Sequence, residues 1–320
     1  MEECFRLESV AKHIGKRCII EEISLFALQG EVCGLLGPNG AGKTTTIRLL
    51  LGLLKPTRGS ILVFGRPVTS DRRPQNARIG FVLDRHGLYL DLTARDNLRL
   101  FGSLLGLRSG EIALRTEEIA SRLGLQARLD DKVRTFSKGM RQKLAITRSL
   151  LHRPAFLIYD EPTAGLDPSM QVEIRRLIMD LSRSEGVTVF LASHYLHEVE
   201  EICSRVAIIA EGRLRAFGGL PALLNAARGP AVEFTIRPEG GTPGWAAAVK
   251  GINGVKGADM RGDRLVVELE HKEAAPLVYQ HLMACGADVV RMQHCGTSLE
   301  DLYLSVTGGM PGEDGQPGPH

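Results

Sequence analysis

Gly37, Pro38, Asn39, Gly40, Ala41, Gly42, Lys43 and Thr44 follow the spacing GxxxxGK[ST], by which a chain wraps a polyphosphate. The glycines let backbone N–H groups turn inward, and the N-terminus of a following helix favours negative charge. Lys43 is placed to reach the β- and γ-phosphates of ATP and the Thr44 hydroxyl to take Mg²⁺, with Thr45 beside it in the same binding segment. A second pair, Asp160 and Glu161, ends the run Phe156-Leu157-Ile158-Tyr159. Phosphoryl transfer to water needs an anionic anchor for the metal and a base for the water. Asp160 suits the first role, directly or through water. Glu161 suits the second, a contribution of roughly 10²–10⁴-fold in rate.

Those residues need strands and helices to hold them. From Phe5 to Phe64 the pattern is strand-like, with Ile23–Leu28 and Val32–Leu36 divided by Gln29-Gly30. Thr44–Leu54 reads as a helix stopped by Lys55-Pro56, and Leu92–Leu125 as mainly helical with breaks near Ser109-Gly110 and at Gly124. A helix from about Ser137, apolar strands Phe156–Tyr159 and Val187–Ala192, and a hairpin of Val206–Ala210 with Leu214–Phe217 around Glu211-Gly212 follow. Apolar strands alternating with helices predict an α/β domain with a mostly parallel sheet covered on both faces. After about Asn225 the segments Ala231–Ile236, Trp245–Lys250, Arg264–Leu269, Glu273–Cys285 and Ala287–Met292 predict a small α+β domain of βαββαβ order. Ser298-Leu299-Glu300-Asp301 has capping-box form and opens a last helix. Beyond Gly308, the Gly- and Pro-rich tail is expected to be disordered. The expected domains are therefore 1–225, 226–307 and a tail at 308–320.

Composition narrows the partners. Forty Lys and Arg against 37 Asp and Glu leave a net charge of +3, with no sustained basic patch to suggest nucleic acid. The six cysteines at 4, 18, 33, 203, 285 and 295 form no CxxC pair and are expected to be reduced thiols. The acidic N-terminus does not resemble a secretory signal, and no run reaches the 18 or more apolar residues of a membrane span. If the chain serves transport, a separate subunit must form the pore.

Phe136-Ser137-Lys138-Gly139-Met140, followed by Arg141-Gln142, resembles the signature motif of ATP-binding-cassette (ABC) ATPases. The order P-loop, signature, Asp160-Glu161, Ala164-Gly165-Leu166-Asp167 and His194 after a late strand extends the resemblance over roughly residues 4–220. Taken singly, Ser137 reads as a helix N-cap, Met140 and Leu144 as core, Asp160-Glu161 as a solvated strand end and His194 as structural. The resemblance implies more. It implies an ABC ATPase domain with an antiparallel β subdomain and a helical subdomain at about 89–150. Ser137 and Gly139 would contact the γ-phosphate of ATP held by a second subunit, a homodimer being expected, and His194 would be the switch histidine. Asp167 would lie at the dimer interface.

Two positions depart from the family pattern. Asp84 stands where the family has Gln or Glu, and it remains a candidate ligand for Mg²⁺ or water. Ile14 stands at the adenine-stacking position, so His13 is the alternative stacking residue. The Ser298–Leu304 segment is similar to the end of ATPase subunits of ABC-2-type exporters. That resemblance implies a membrane permease partner and a peripheral place on the cytoplasmic face of the membrane. Two competing readings are a soluble ABC protein acting on ribosomes or DNA, and an inactive nucleotide-binding regulator. The first lacks a second cassette or coiled coil, and the second is at odds with Lys43, Asp160, Glu161 and His194.

Overall fold

The computed structural model describes residues 2–68, 77–83, 86–227, 231–237, 244–295 and 298–308. They form two compact units that divide between Gly219 and Leu220. Asp84 and residues 309–320, where the disordered tail is expected, lie outside the described residues.

The first unit opens with β1 (Glu3–Ile14), β2 (Arg17–Leu28) and β3 (Val32–Leu36), followed by helix α1 (Lys43–Leu50). β4 (Arg58–Val63), β5 (Arg66–Pro67) and β6 (Ile79–Val82) lead to three helices, α2 (Ala94–Leu104), α3 (Ser109–Arg122) and α4 (Lys138–Leu150). β7 (Phe156–Asp160), α5 (Pro168–Glu185), β8 (Thr188–Ser193), α6 (Leu196–Ile202), β9 (Arg205–Ala210) and β10 (Arg213–Gly219) complete it.

Six strands in the order β10-β9-β3-β8-β7-β6 form a sheet that is parallel except at β10. Its central strands β3, β7 and β8 are buried along their whole length, the pattern of strands covered on both faces. A second, antiparallel sheet has the order β2-β1-β4-β5. Phe5 of β1 joins the two sheets, stacking on Phe156 of β7 at 5.3 Å and meeting Phe190 of β8 edge-on at 5.1 Å. Such pairs contribute about 0.5–1.5 kcal/mol beyond their burial. The expected hairpin is present between β9 and β10, and its turn residues Glu211 and Gly212 both have positive φ, as a tight hairpin requires.

The helical layer has its own core of Ala94, Leu98, Ala120, Leu125 and Leu144. Arg95 ties α2 to its surroundings, donating to Asp130 at 2.7 Å and Glu117 at 2.8 Å. Both carboxyls are held below their usual range by the Arg95 guanidinium.

Two sequence expectations need correction in this unit and the next. The helix after the phosphate loop begins at Lys43 and ends at Leu50, because Gly52 takes a left-handed turn at φ +55° before Lys55-Pro56 is reached. The second unit begins earlier than Asn225, because α7 (Leu220–Ala227) belongs to it and packs against α10 (Leu299–Thr307).

Between those helices run β11 (Ala231–Ile236), α8 (Trp245–Val249), β12 (Val255–Arg261), β13 (Arg264–Leu269), α9 (Ala275–Ala284) and β14 (Val289–Cys295). This is the βαββαβ order, folded as an antiparallel sheet β12-β13-β11-β14. β12 was not among the expected segments. It is an edge strand carrying exposed Lys256, Asp259 and Arg261, so it needs no clean apolar alternation. Val232, Phe234, Val267 and Leu282 form the centre of its apolar core. The last helix opens with the expected capping box, Ser298 and Asp301 satisfying each other's backbone N–H groups.

Candidate functional site

The segment between β3 and α1 closes on its own lysine. Gly42 sits at φ +109° as the N-cap of α1 and offers no side-chain cap, so the helix's first N–H groups remain directed at the loop. Lys43 is only 7% exposed and donates to the carbonyls of Gly37 at 2.6 Å and Pro38 at 3.4 Å. Its ammonium lies 3.8 Å from Glu161. Burial depresses its pKa, opposed by the charges of Glu161 and Asp160. A polyphosphate offers this ammonium anionic acceptors in place of neutral carbonyls, a stronger class of hydrogen bond.

The carboxylates arrive from β7. Asp160, 4% exposed, accepts a hydrogen bond of 3.0 Å from the Thr44 hydroxyl, across 116 residues of chain. Glu161 leaves the strand at φ +51°, a left-handed conformation that costs a non-glycine residue on the order of 1–3 kcal/mol. It is held there because its N–H donates to Ala192 of β8 at 2.9 Å and its carbonyl accepts from Ala164 at 3.2 Å. Glu161 Oε2 lies 2.8 Å from His194 Nδ1. A carboxylate can only accept, so Nδ1 carries the proton and Nε2 is the nitrogen presented elsewhere. His194 is half exposed, with its ring against Tyr195 at 4.1 Å.

Lys43, Thr44, Asp160 and Glu161 open on a cavity of about 520 Å³ with Pro38 and Gly40, and Thr45, Asn39 and Leu83 are also at its wall, whereas His194 is outside the lining and reaches it through Glu161. Arg17 and Ile19 of β2 extend the lining. The β1–β2 hairpin pairs Ile14 with Arg17 and His13 with Cys18. Because side chains alternate along a strand, Ile14 shares the face of the cavity-lining Arg17, whereas His13 takes the opposite face, where it lines a different depression with Cys18 and Arg58. His13 is thus outside the lining of the phosphate cavity and on the strand face opposite Arg17. Ile14 itself is exposed and outside the cavity lining.

Ser137 and Gly139 also stand apart from this cavity. Ser137 is the N-cap of α4, its hydroxyl accepting from Met140 N–H at 3.2 Å. Gly139 lies beneath Met170 of α5, where a Cβ would collide with Sδ, so the glycine permits close packing of the two helices. Asp167 caps α5, accepting from Met170 N–H at 3.0 Å and Ser169 Oγ at 2.6 Å, and these bonds hold its carboxyl low.

Sequence reasoning gave no role to Gln142. This residue of α4 is 5% exposed, donates to the Pro162 carbonyl at 2.7 Å and accepts from His86, whose own carbonyl accepts from Arg148 at 2.6 Å. The turn after Glu161 is thus gripped from the signature helix. The available signal was a polar side chain at a core position of an amphipathic helix, which must find a buried partner.

A phosphate loop, a strand-end carboxylate pair and a mostly parallel sheet define a P-loop nucleoside triphosphatase. The family described as ABC transporter matches residues 20–164, and an AAA domain described as a putative AbiEii toxin of a type IV toxin–antitoxin system matches residues 132–200. The Nod factor export ATP-binding protein I of Paraburkholderia xenovorans is 37% identical over 96% of this chain and 98% of its own length. The bacitracin transport ATP-binding protein BcrA of Bacillus licheniformis is 33% identical over 97% of this chain and 99% of its own. A dimeric ATP-binding cassette solved in a post-hydrolysis state with ADP and Pi superposes with a TM-score of 0.62 at 25% identity, over 68% of this chain and 98% of that one. The chain belongs to the ATP-binding proteins of ABC transporters, and its first unit is an ABC ATPase.

Proposed function

We propose that this chain is the ATP-hydrolysing subunit of an exporter, acting as a dimer around two Mg-ATP and driving a separate membrane permease from the cytoplasmic face. The observation that carries the reading is the convergence of Lys43, Thr44, Asp160 and Glu161 on one cavity whose lining contains neither Ser137 nor Gly139. A signature segment away from its own phosphate loop suits a nucleotide completed by a second copy. Export follows the named role of the Nod factor relative. No helix among the described residues is long and apolar enough to cross a membrane, which fits a motor that needs a separate pore.

The donor set suits Mg²⁺. Thr44 Oγ1 and an Asp160 oxygen are hard ligands already 3.0 Å apart, and no group of three or more acidic or His/Cys ligands exists among the described residues. Such a sparse set matches an ion whose remaining ligands are phosphate oxygens and water. When bound, the ion neutralises charge on the phosphates. Lys43 holds the phosphates, Glu161 orients the attacking water and accepts its proton, and His194, fixed by Glu161 through Nδ1, presents Nε2 toward the γ-phosphate. Asp84 remains a proposed contributor to the metal's water shell, and Ile14 a proposed apolar contact for the base.

Glu161→Gln tests the assembly. The variant should keep ATP bound and sediment as a dimer with ATP, returning to monomer when the nucleotide is removed. A monomer saturated with ATP would overturn the sandwich. Solubilised native membranes should yield a polytopic partner with the tagged chain, and recovery of ribosomes in its place would overturn the transport role.

A further inference from the structure

Glu198 is the most deeply buried carboxylate near the site, at 3% exposure, and nothing in the reaction as described uses it. It lies in α6, and both its oxygens are occupied. Thr163 Oγ1 lies 2.9 Å from Oε1 and from Oε2, and Ser193 Oγ donates to Oε2 at 3.0 Å. The hydroxyl of Ser193 also accepts from Tyr195 N–H at 3.1 Å, so its single hydrogen is free only for Glu198. Thr163 stands two residues after Glu161, and Ser193 immediately precedes His194. One carboxylate therefore fastens the turn that carries Glu161 to the turn that carries His194. On its other side the Glu161 turn is held at Pro162 by Gln142.

We propose that Glu198 is a positioning residue for ATP hydrolysis, a buried brace that sets Glu161 and His194 at their mutual distance through Thr163 and Ser193. The proposal rests on the assignment of Glu161 as the residue that orients water. Its chemistry follows from acceptor capacity. A carboxylate accepts from two hydroxyls at once, whereas a carboxamide of the same shape has one oxygen and turns two N–H donors toward the second hydroxyl. Burial pushes the Glu198 carboxyl up, and the hydroxyls of Thr163 and Ser193 together with the charge of Arg175 oppose that push. A carboxylate so placed is costly unless its partners are kept. Thr163, Ser193 and Glu198 are all absent from the lining of the phosphate cavity. Loss of the brace should thus move the catalytic pair without changing how ATP is held.

The experiment is a kinetic cycle in the full chain with Glu198→Gln, with Thr163→Val plus Ser193→Ala, and with all three changes together. Glu198→Gln and the hydroxyl pair should each lower kcat about tenfold, as small misplacements of reacting groups do, with KM and ATP affinity within about twofold. The triple variant should be no slower than the worse of the two. Thermal melting with and without ATP identifies any variant that fails to fold, and the hydroxyl pair then decides the matter alone. An unchanged kcat in a folded variant, a loss of ATP affinity as large as the loss of kcat, or multiplicative effects in the triple variant would overturn the brace. Full turnover in Glu161→Gln would overturn the catalytic assignment instead, a separate result.

Discussion

The two units handle polarity in opposite ways. In the first, Lys43, Gln142, Asp160, Thr163, Ser193 and Glu198 are all buried, whereas no charged, carboxamide, Ser or Thr side chain among the described residues of the second is buried. Burying such a group costs on the order of 1–3 kcal/mol in proteins unless a partner is supplied. The first unit accepts that cost, and each of those side chains has a named partner. The second is organised by apolar packing, with Phe234 at its centre and Tyr279 stacked at 6.5 Å. Lys43, Thr44, Asp160 and Glu161, which line the phosphate cavity, all belong to the first unit.

The sharpest way to break this contrast is Lys43→Ala. It removes the one ammonium in the phosphate loop, and ATP turnover should fall to background in a steady-state phosphate-release assay. Retained turnover would show that the buried charges are not organised around phosphate.

Phe234→Ala probes the other side. Truncating a fully buried Phe should destabilise the second unit by about 3–5 kcal/mol, read as an earlier transition in calorimetry or hydrogen exchange confined to 220–308. The ATP turnover of the isolated protein should change less than about twofold. A loss of turnover matching that of Lys43→Ala would mean that the apolar unit participates in the chemistry.

The smallest effect is a pair of opposite pH slopes from Lys43. Its pKa is depressed in the nucleotide-free fold by burial, so between that value and the ordinary lysine value the unfolded chain holds more protons than the folded one. Stability of the free protein should therefore rise with pH across that window. Phosphate charge raises the same pKa, so binding takes up a proton and ATP affinity should fall over the same window, by less than about tenfold per pH unit. Calorimetric titrations in buffers of different ionisation enthalpy would reveal the uptake. Equal affinity throughout, with no proton taken up, would separate Lys43 from the phosphates.

Much of the cassette was legible because its signals are local. Gly37–Thr44 is contiguous, and its spacing, the strand before it and the helix after it are all set within the stretch Val32–Leu50. The apolar runs at β3, β7 and β8 announce buried parallel strands for the same reason. β12 escaped because a register shift between Val255 and Gly257 breaks its alternation, so that Val255 packs on the same core as Ala258 and Met260. The division at Gly219 escaped because α7 was not recognised as a helix of the second unit.

By itself the sequence determined which groups the protein owns: a phosphate loop, a carboxylate pair at a strand's end, a helix cap at Ser137 and a histidine after β8. Tertiary structure alone decided how they meet. Thr44 reaches Asp160 across 116 residues and Glu161 reaches His194 across 33, distances that only sheet order sets. The hairpin's alternation turned His13 away from the cavity, and the approach of α6 to the two catalytic turns made Glu198 a shared acceptor. The physical reason is that covalent spacing encodes periodicity and local turns. Hydrogen-bond partnership between distant segments is a property of packing, and no local pattern carries it.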